Sequence, residues 1–260
     1  MEEDEVIFGR NAVLQALRAR AEIRKIFVAR GTKRDGMLGE ALVEAKRASV
    51  PIVEMDRNEL DRMVRRGALH QGIVAEAAEF AYADLEDIQL AARARQAPAF
   101  LLLLDNVQYV KNFGALLRTA EAVGVDGVVI PEHRQAGVTA EVRKASAGAV
   151  DFLKVARVTN LARTINDLKH AGIWIVGIED TPDARIYSEG DYTVPTAFVV
   201  GSELEGLRRL TRERCDYVVK IPMWGQMPSL NVSVAGSIVL YEAKMQREHA
   251  LAKDKPIRTK

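Results

Sequence analysis

Five consecutive apolar residues, Phe100-Leu101-Leu102-Leu103-Leu104, set the tightest limit on what this chain can fold into. Successive side chains of a strand point to opposite faces, so a strand with one face in water alternates apolar and polar residues. A strand that is apolar throughout needs cover on both faces, the condition of a parallel sheet flanked by helices. From there to the C-terminus, helices and strands alternate. Asn112 to Val123 reads as a helix, Gly127 to Pro131 as a strand and Thr139 to Ala147 as a helix. Phe152 to Val158 is a strand, Asn160 to His170 a helix, and Ile173 to Glu179 and Thr196 to Val200 are strands. Leu207 to Cys215 is a helix, Tyr217 to Ile221 a strand, and a long helix runs from Val232 to about Arg247. This order predicts a doubly wound α/β sheet.

A smaller α/β unit precedes it. Asn11 is positioned to cap a helix whose Ala12, Val13, Ala16 and Leu17 share a face. Ile23 to Ala29 reads as a strand, Met37 to Ala48 as a helix and Pro51 to Met55 as a strand. Asp56 caps a helix from Glu59 to Arg66, and His70 to Ala77 is a further strand. The expected division is a first domain over residues 1–78 and a linker over 79–97, helical from Leu85 to Arg95. The large domain spans 98–247, with a polar, disordered tail over 248–260.

Composition narrows the function classes. Of 260 residues 48% are hydrophobic and the net charge is +1, so overall charge points to no partner. Local charge does: from Arg10 to Arg34 there are eight basic residues against the single acid Glu22, and Arg62, Arg65 and Arg66 form a second knot. Such a patch is either a solvated face or a footprint for nucleic acid. Cys215 is the only cysteine, which excludes an internal disulfide, and the four histidines lack ligand spacing, so no metal site is expected. No apolar run approaches the ~18 residues of a membrane span, and the acidic Met1-Glu2-Glu3-Asp4-Glu5 is unlike the start of a signal peptide. A cytoplasmic protein is expected.

Three loops at the ends of strands carry unusual residues. The first holds Asn112-Phe113-Gly114, with Arg118 nearly two turns into the helix; Asn112 is a candidate cap and Arg118 either a surface side chain or an anion ligand. The second is Gly201-Ser202-Glu203-Leu204-Glu205-Gly206, where glycines at both ends permit close backbone approach. Neither dinucleotide-binding nor P-loop glycine patterns occur in the chain. The third, Pro222-Met223-Trp224-Gly225-Gln226-Met227-Pro228-Ser229-Leu230-Asn231, joins a strand to the last helix. It exceeds the roughly 2–6 residues of an ordinary connection, and its apolar content predicts that it is packed.

Together the three resemble the sequence motifs of the SpoU (TrmH-like) family of RNA ribose 2′-O-methyltransferases, within the SPOUT superfamily. Asn112-Phe113-Gly114 with Arg118 matches the first motif and Gly201-x-Glu203-x-x-Gly206 the second. Pro222-Met223-x-Gly225 with Ser229-Leu230-Asn231-Val232-Ser233-Val234-Ala235 matches the third. Phe8-Gly9 through Leu17 and His70-Gln71-Gly72-Ile73 resemble the family's N-terminal substrate-binding domain. Val158 to Thr164 and Arg208 to Glu213 are similar to the branch that methylates a guanosine of large-subunit (23S) ribosomal RNA. One feature departs: the first motif usually opens on Asp-Pro, where Tyr109 and Val110 stand here.

The resemblance implies a C-terminal methyltransferase domain with a trefoil knot, beside a small α/β domain folded like a ribosomal protein. It implies S-adenosylmethionine as donor, held around Gly201, Ile221 and Leu230. Arg118, Asn112, Glu203, Ser229 and Asn231 become the expected catalytic group. Arg118 would contact the RNA phosphate and ribose, because arginine stays protonated, with a pKa above ~12, and is a poor base. Arg10, Arg18, Arg24, Lys25, Lys33 and Arg34 would bind ribosomal RNA, and a homodimer is implied. The alternatives are a methyltransferase acting on transfer RNA and a catalytically silent RNA-binding protein of the same fold.

Overall fold

The computed structural model describes residues 5–65, 67–95, 97–133 and 135–253. Arg66 of the basic knot, the acidic residues 1–4 and the tail from residue 254 lie outside the described residues. The chain divides by contacts into two compact units. The first runs to Ala81 and takes back Gly137–Phe152; the second holds Tyr82–Ala136 and everything described from Leu153 on.

The first unit comprises β1 (Glu5–Phe8), α1 (Arg10–Arg18), β2 (Ile23–Ala29), α2 (Gly36–Arg47), β3 (Ile52–Met55), α3 (Arg57–Met63) and β4 (Ile73–Ala77). Its sheet has the order β1-β4-β2-β3, with β4 antiparallel to both neighbours and β2 parallel to β3. Apolar residues of α1, α2 and the sheet, among them Val13, Leu14, Ile26 and Leu38, close its core. Three expectations are corrected. Asn11 is not the cap of α1, which starts at Arg10 after Gly9; its amide donates to the Ala147 carbonyl instead. The helix after Asp56 ends at Met63. The last strand begins only at Ile73, because Gln71 and Gly72 have φ of 55° and 85°, values no strand accommodates. The strand β1 was not foreseen from the sequence.

The second unit comprises α4 (Leu85–Ala94), β5 (Phe100–Leu104), α5 (Val110–Val123), β6 (Gly127–Pro131), β7 (Val155–Val158), α7 (Leu161–His170), β8 (Trp174–Ile178), β9 (Arg185–Ile186), β10 (Thr196–Val200), α8 (Arg209–Arg214), β11 (Tyr217–Lys220) and α9 (Val232–Lys253). Between β6 and β7, α6 (Ala140–Ala145) and a 3₁₀ turn (Ala149–Phe152) pack with the first unit. The sheet has seven strands in the order β7-β6-β5-β10-β8-β11-β9, every pair parallel. β5 is buried at all five positions. Its odd residues, Leu101 and Leu103, meet α4 and α7 through Ile88 and Ile165. Phe100 faces the other side, where Arg247 of α9 lies over its ring at 4.5 Å and Phe198 meets it edge-on. Residues 79–97, expected as a linker, thus contribute α4 to the core. The last helix reaches Lys253, six residues beyond its expected end.

Chain order fixes where a ligand can sit. From β5 the chain moves outward to β6 and β7, whereas β10 lies on the other side of β5. At such a reversal the loops leave the strand ends in opposite directions and open a crevice. The loops after β5 and β10 are the first two motif loops.

Candidate active site

A cavity of about 540 Å³ lies at these strand ends, entirely within the second unit. Its apolar walls include Ile178, Val219, Ile221, Leu230 and Ala235, and its polar ones Asn112, Glu179, Asp180, Glu203 and Ser229. Gly201 and Gly206 expose backbone to it.

Hydrogen bonds join the three motif loops. The Glu203 carboxylate accepts from the Asn112 side-chain amide at 2.9 Å and from the backbone N–H groups of Tyr109 and Gln108 at 3.3 and 3.4 Å. A negative charge at the start of α5 also complements the helix dipole. The Asn112 carbonyl accepts from the Asn231 amide at 3.0 Å. Asn231 in turn caps α9, its carbonyl accepting from Ser233 N and Oγ at 2.9 and 2.6 Å. Asn112 is therefore not the cap of α5: it stands in the first turn, after Tyr109 at the cap position, and bridges two loops. Val110 occupies the first helical position, which favours proline. Here the two bonds from Gln108 and Tyr109 to Glu203 hold the turn that a proline ring would otherwise stiffen.

The second loop closes on itself. Ser202 and Gly206 exchange backbone hydrogen bonds at 2.9 and 3.2 Å. Gly206 has φ 66°, and a Cβ there would run into the Glu179 carboxylate, whose Oε1 accepts from Leu207 N at 2.9 Å. Beneath lies Asp105, fully buried at the end of β5. It accepts from Arg208 N at 3.0 Å and from the Arg208 guanidinium at 2.5 Å. Ile178, Glu179, Asp180 and Asp105 were missed by sequence reasoning, and Tyr109, noted there only as a departure from the first motif, lines the cavity. For Glu179 and Asp180 the position just past an apolar strand was the available signal.

Of the expected site residues, Asn112, Gly201, Glu203, Ile221, Ser229, Leu230 and Asn231 line the cavity. Arg118 does not; it is exposed on α5. The third loop departs from the expected packing: Trp224 is 92% and Met227 71% exposed, and only its two ends reach the cavity wall. In the first unit several of the expected RNA-binding residues have partners. Arg18 pairs with Glu40, Lys33 with Asp35 and Arg34 with Glu54, Lys25 lies over Phe27, and the Arg10 guanidinium donates to the Gln71 carbonyl. Arg24 is exposed on β2. Among the described residues no helix is long and apolar enough to cross a membrane.

The cavity suits a particular kind of ligand. Its volume lies within the ~300–1,000 Å³ of small-molecule sites. Apolar walls accept a flat ring, open backbone offers donors and acceptors, and several carboxylates favour a cation. Glu179 Oε2 is buried and has no hydrogen bond among the described residues; Arg212 Nε stands 3.7 Å from it. These features fit S-adenosylmethionine, which combines an adenine, a ribose and a positively charged sulfur.

Fold and site define a parallel α/β protein with a ligand cavity built from three loops at a chain reversal. Residues 99–241 match the SpoU rRNA methylase family, and residues 6–83 match the family described as RNA 2′-O ribose methyltransferase substrate binding. The chain belongs to the SpoU rRNA methylase family and is an RNA 2′-O-methyltransferase. It is 39% identical to YacO of Bacillus subtilis, named as a TrmH family tRNA/rRNA methyltransferase, over 95% of this chain and 97% of that one. A solved RNA 2′-O ribose methyltransferase matches with TM-score 0.74 and 27% identity, covering 95% of this chain and 90% of the other. The SpoU methyltransferase AviRb of Streptomyces viridochromogenes, solved in complex with AdoMet, shares the fold at TM-score 0.78 and 24% identity, covering 95% and 91%.

Proposed function

We propose that this enzyme methylates the ribose 2′-hydroxyl of a guanosine in large-subunit ribosomal RNA, with its donor in the cavity between the three motif loops. The hydrogen-bonded chain Glu203–Asn112–Asn231 carries the reading, because it joins all three motifs at the rim of one cavity. The segments Val158 to Thr164 and Arg208 to Glu213 support ribosomal RNA as the target through their resemblance to that branch.

Bound there, S-adenosylmethionine supplies a methyl group on a positively charged sulfur. Gly201, Ile221 and Leu230 would hold the adenosine end. Asn112 and Asn231 lock each other's amide planes, and with Ser229 they orient the ribose. Glu203 fixes the turn before α5. The guanidinium of Arg118 binds the RNA phosphate and stabilises the charge that develops on the ribose oxygen as its proton passes to solvent.

Arg118 stands outside the wall of its own cavity, so this reading needs a second copy of the chain. Val234, Tyr241 and Met245 form an exposed stripe on α9, and the exposed Trp224 and Met227 lie near that helix's start. An apolar surface of this kind is suited to burial in a homodimer. Arg118 then serves the partner's cavity, and Arg10, Arg18, Arg24, Lys25, Lys33 and Arg34 contact RNA phosphates. Exposed ion pairs such as Arg18–Glu40 contribute little, so phosphates can displace them.

The test is to map ribose methylation across ribosomal and transfer RNA in a deletion strain and after restoring the gene. Loss of one guanosine mark in large-subunit RNA is expected. Loss confined to a transfer RNA position overturns the substrate assignment. Cofactor binding without transfer to any RNA would sink the proposed reaction.

A further inference from the structure

A second cavity of about 510 Å³ opens further along the same edge of the sheet. Three segments of the second unit wall it: His133 just after β6, Thr159 and Asn160 after β7, and Arg208 and Arg209 at the head of α8. Its volume is that of a small-molecule site, and its lining is opposite in sign to the first. The first cavity carries three carboxylates, Glu179, Asp180 and Glu203, against one cation, Lys220; among the described residues no carboxylate lines the second. One therefore suits a cation and the other an anion.

The two arginines are held differently. Asp105 grips Arg208 through its Nε and its Nη2, both at 2.5 Å, so most of its charge is balanced and its guanidinium plane is fixed. A fixed, half-exposed guanidinium is a stacking surface for a base. Arg209 is exposed and lines both this cavity and a neighbouring one, with its guanidinium paired to the exposed Glu213 at 2.9 Å. An exposed pair of this kind yields to a phosphate, which Arg binds more strongly. Opposite them, the Asn160 carbonyl is committed to Arg163 N at 3.0 Å, which leaves its amide nitrogen and the Thr159 hydroxyl as donors. A stacking plane, an exposed cation whose ion pair a phosphate can displace, and neutral donors together match a nucleotide.

We propose that this cavity takes one nucleotide of the RNA substrate other than the methylated one, with its base against Arg208 and its phosphate on Arg209. The inference rests on the reading above that RNA enters at the first cavity. The first cavity lies at the ends of β10, β8 and β11 and the second at the ends of β6 and β7, with β5 between them. At ~4.8 Å per strand this is on the order of 10–15 Å, a span a single RNA segment can bridge. Asp105 connects them mechanically: it follows β5 directly, opens the loop that leads to Asn112, and holds Arg208.

Full-length protein saturated with S-adenosylmethionine provides the test. With an RNA substrate, Arg209→Glu raises KM about tenfold, changes kcat much less, and lowers the slope of log affinity against log salt by about 0.7–0.9. Arg208→Lys keeps a cation beside Asp105 but loses the plane, and it raises KM without lowering Tm by more than a few degrees. Unchanged KM and salt slope in Arg209→Glu overturn the proposal. In a second arm, guanosine 5′-monophosphate, guanosine and inorganic phosphate are titrated onto the same cofactor-saturated protein. The monophosphate is expected to bind best, and to lose about tenfold in affinity in Arg209→Glu. Equal affinity for inorganic phosphate, or none for the monophosphate, overturns it. This arm needs no turnover, so it decides the cavity's occupant even if no RNA is methylated.

Discussion

Asn112 makes two side-chain hydrogen bonds, one to a residue 91 positions away and one to a residue 119 positions away. Its amide and its carbonyl are both committed, so aspartate or alanine in its place breaks a bond to one loop or to both. Glu203 is its counterpart, one carboxylate receiving three N–H groups. Hydrogen bonds to a charged group contribute about 1.5–3 kcal/mol each, and Glu203→Gln turns one acceptor oxygen into a donor facing donors. Methyl transfer is expected to fall at least tenfold, measured with labelled cofactor, with Tm lowered by a few degrees. Wild-type transfer in that variant would remove Glu203 from the site. Cys215 is a contrasting residue: burial pushes its thiol up to about 12, far above neutral pH. A raised thiol pKa means protonated sulfur at pH 8, and the thiolate is the nucleophile. Native protein should therefore resist a thiol-specific reagent at pH 8 and react once unfolded; fast labelling of the native form would contradict the burial.

At the scale of elements, the loop from Gly201 to Gly206 is tightly specified by its backbone. A methyl group on Gly206 would meet the Glu179 carboxylate, and its φ of 66° is strained for any L side chain. Such a residue costs on the order of 1–3 kcal/mol. Gly206→Ala should weaken cofactor binding about tenfold or more by equilibrium titration, with the far-UV spectrum unchanged. Undiminished binding would show that the loop has room to move. Three strands of this sheet could be read directly: β5, β6 and β10 match their expected ends because burial on both faces makes nearly every residue apolar. By contrast, β7 begins at Val155, three residues after its expected start, and β9 was not foreseen. Element ends decided by backbone geometry or by distant partners could not. The left-handed turn at Gln71 and Gly72 delays β4, and the carbonyl that draws Asn11 away from capping belongs to Ala147, 136 residues on.

For the whole molecule, the division into units cuts across chain order. Gly137–Phe152 lies in sequence between two strands of the large sheet, yet it packs with the first unit. There Arg143 and Asp151 form an ion pair at 3.2 Å with both side chains almost wholly buried. The proposed homodimer also belongs to this scale. Tyr241→Glu with Met245→Glu places charge on the exposed stripe of α9, and light scattering should then report a monomer with little activity. Mixing Arg118→Ala with Asn112→Ala subunits should restore activity, because one of the two sites in a mixed dimer then has both residues intact. Failure to restore it places Arg118 in its own chain's site.

The sequence by itself determined the parallel α/β class, the family and most of the cavity's lining, because these depend on local signals: apolar runs, glycines at strand ends and three short motifs. Only the tertiary structure decided how the motifs are joined, that Arg118 stands outside the cavity, that the loop around Trp224 is exposed, and that residues 137–152 pack with the first unit. The physical reason is common to all of these. Hydrogen bonding and burial between residues a hundred positions apart depend on where strand order brings them, and strand order leaves no trace in local composition.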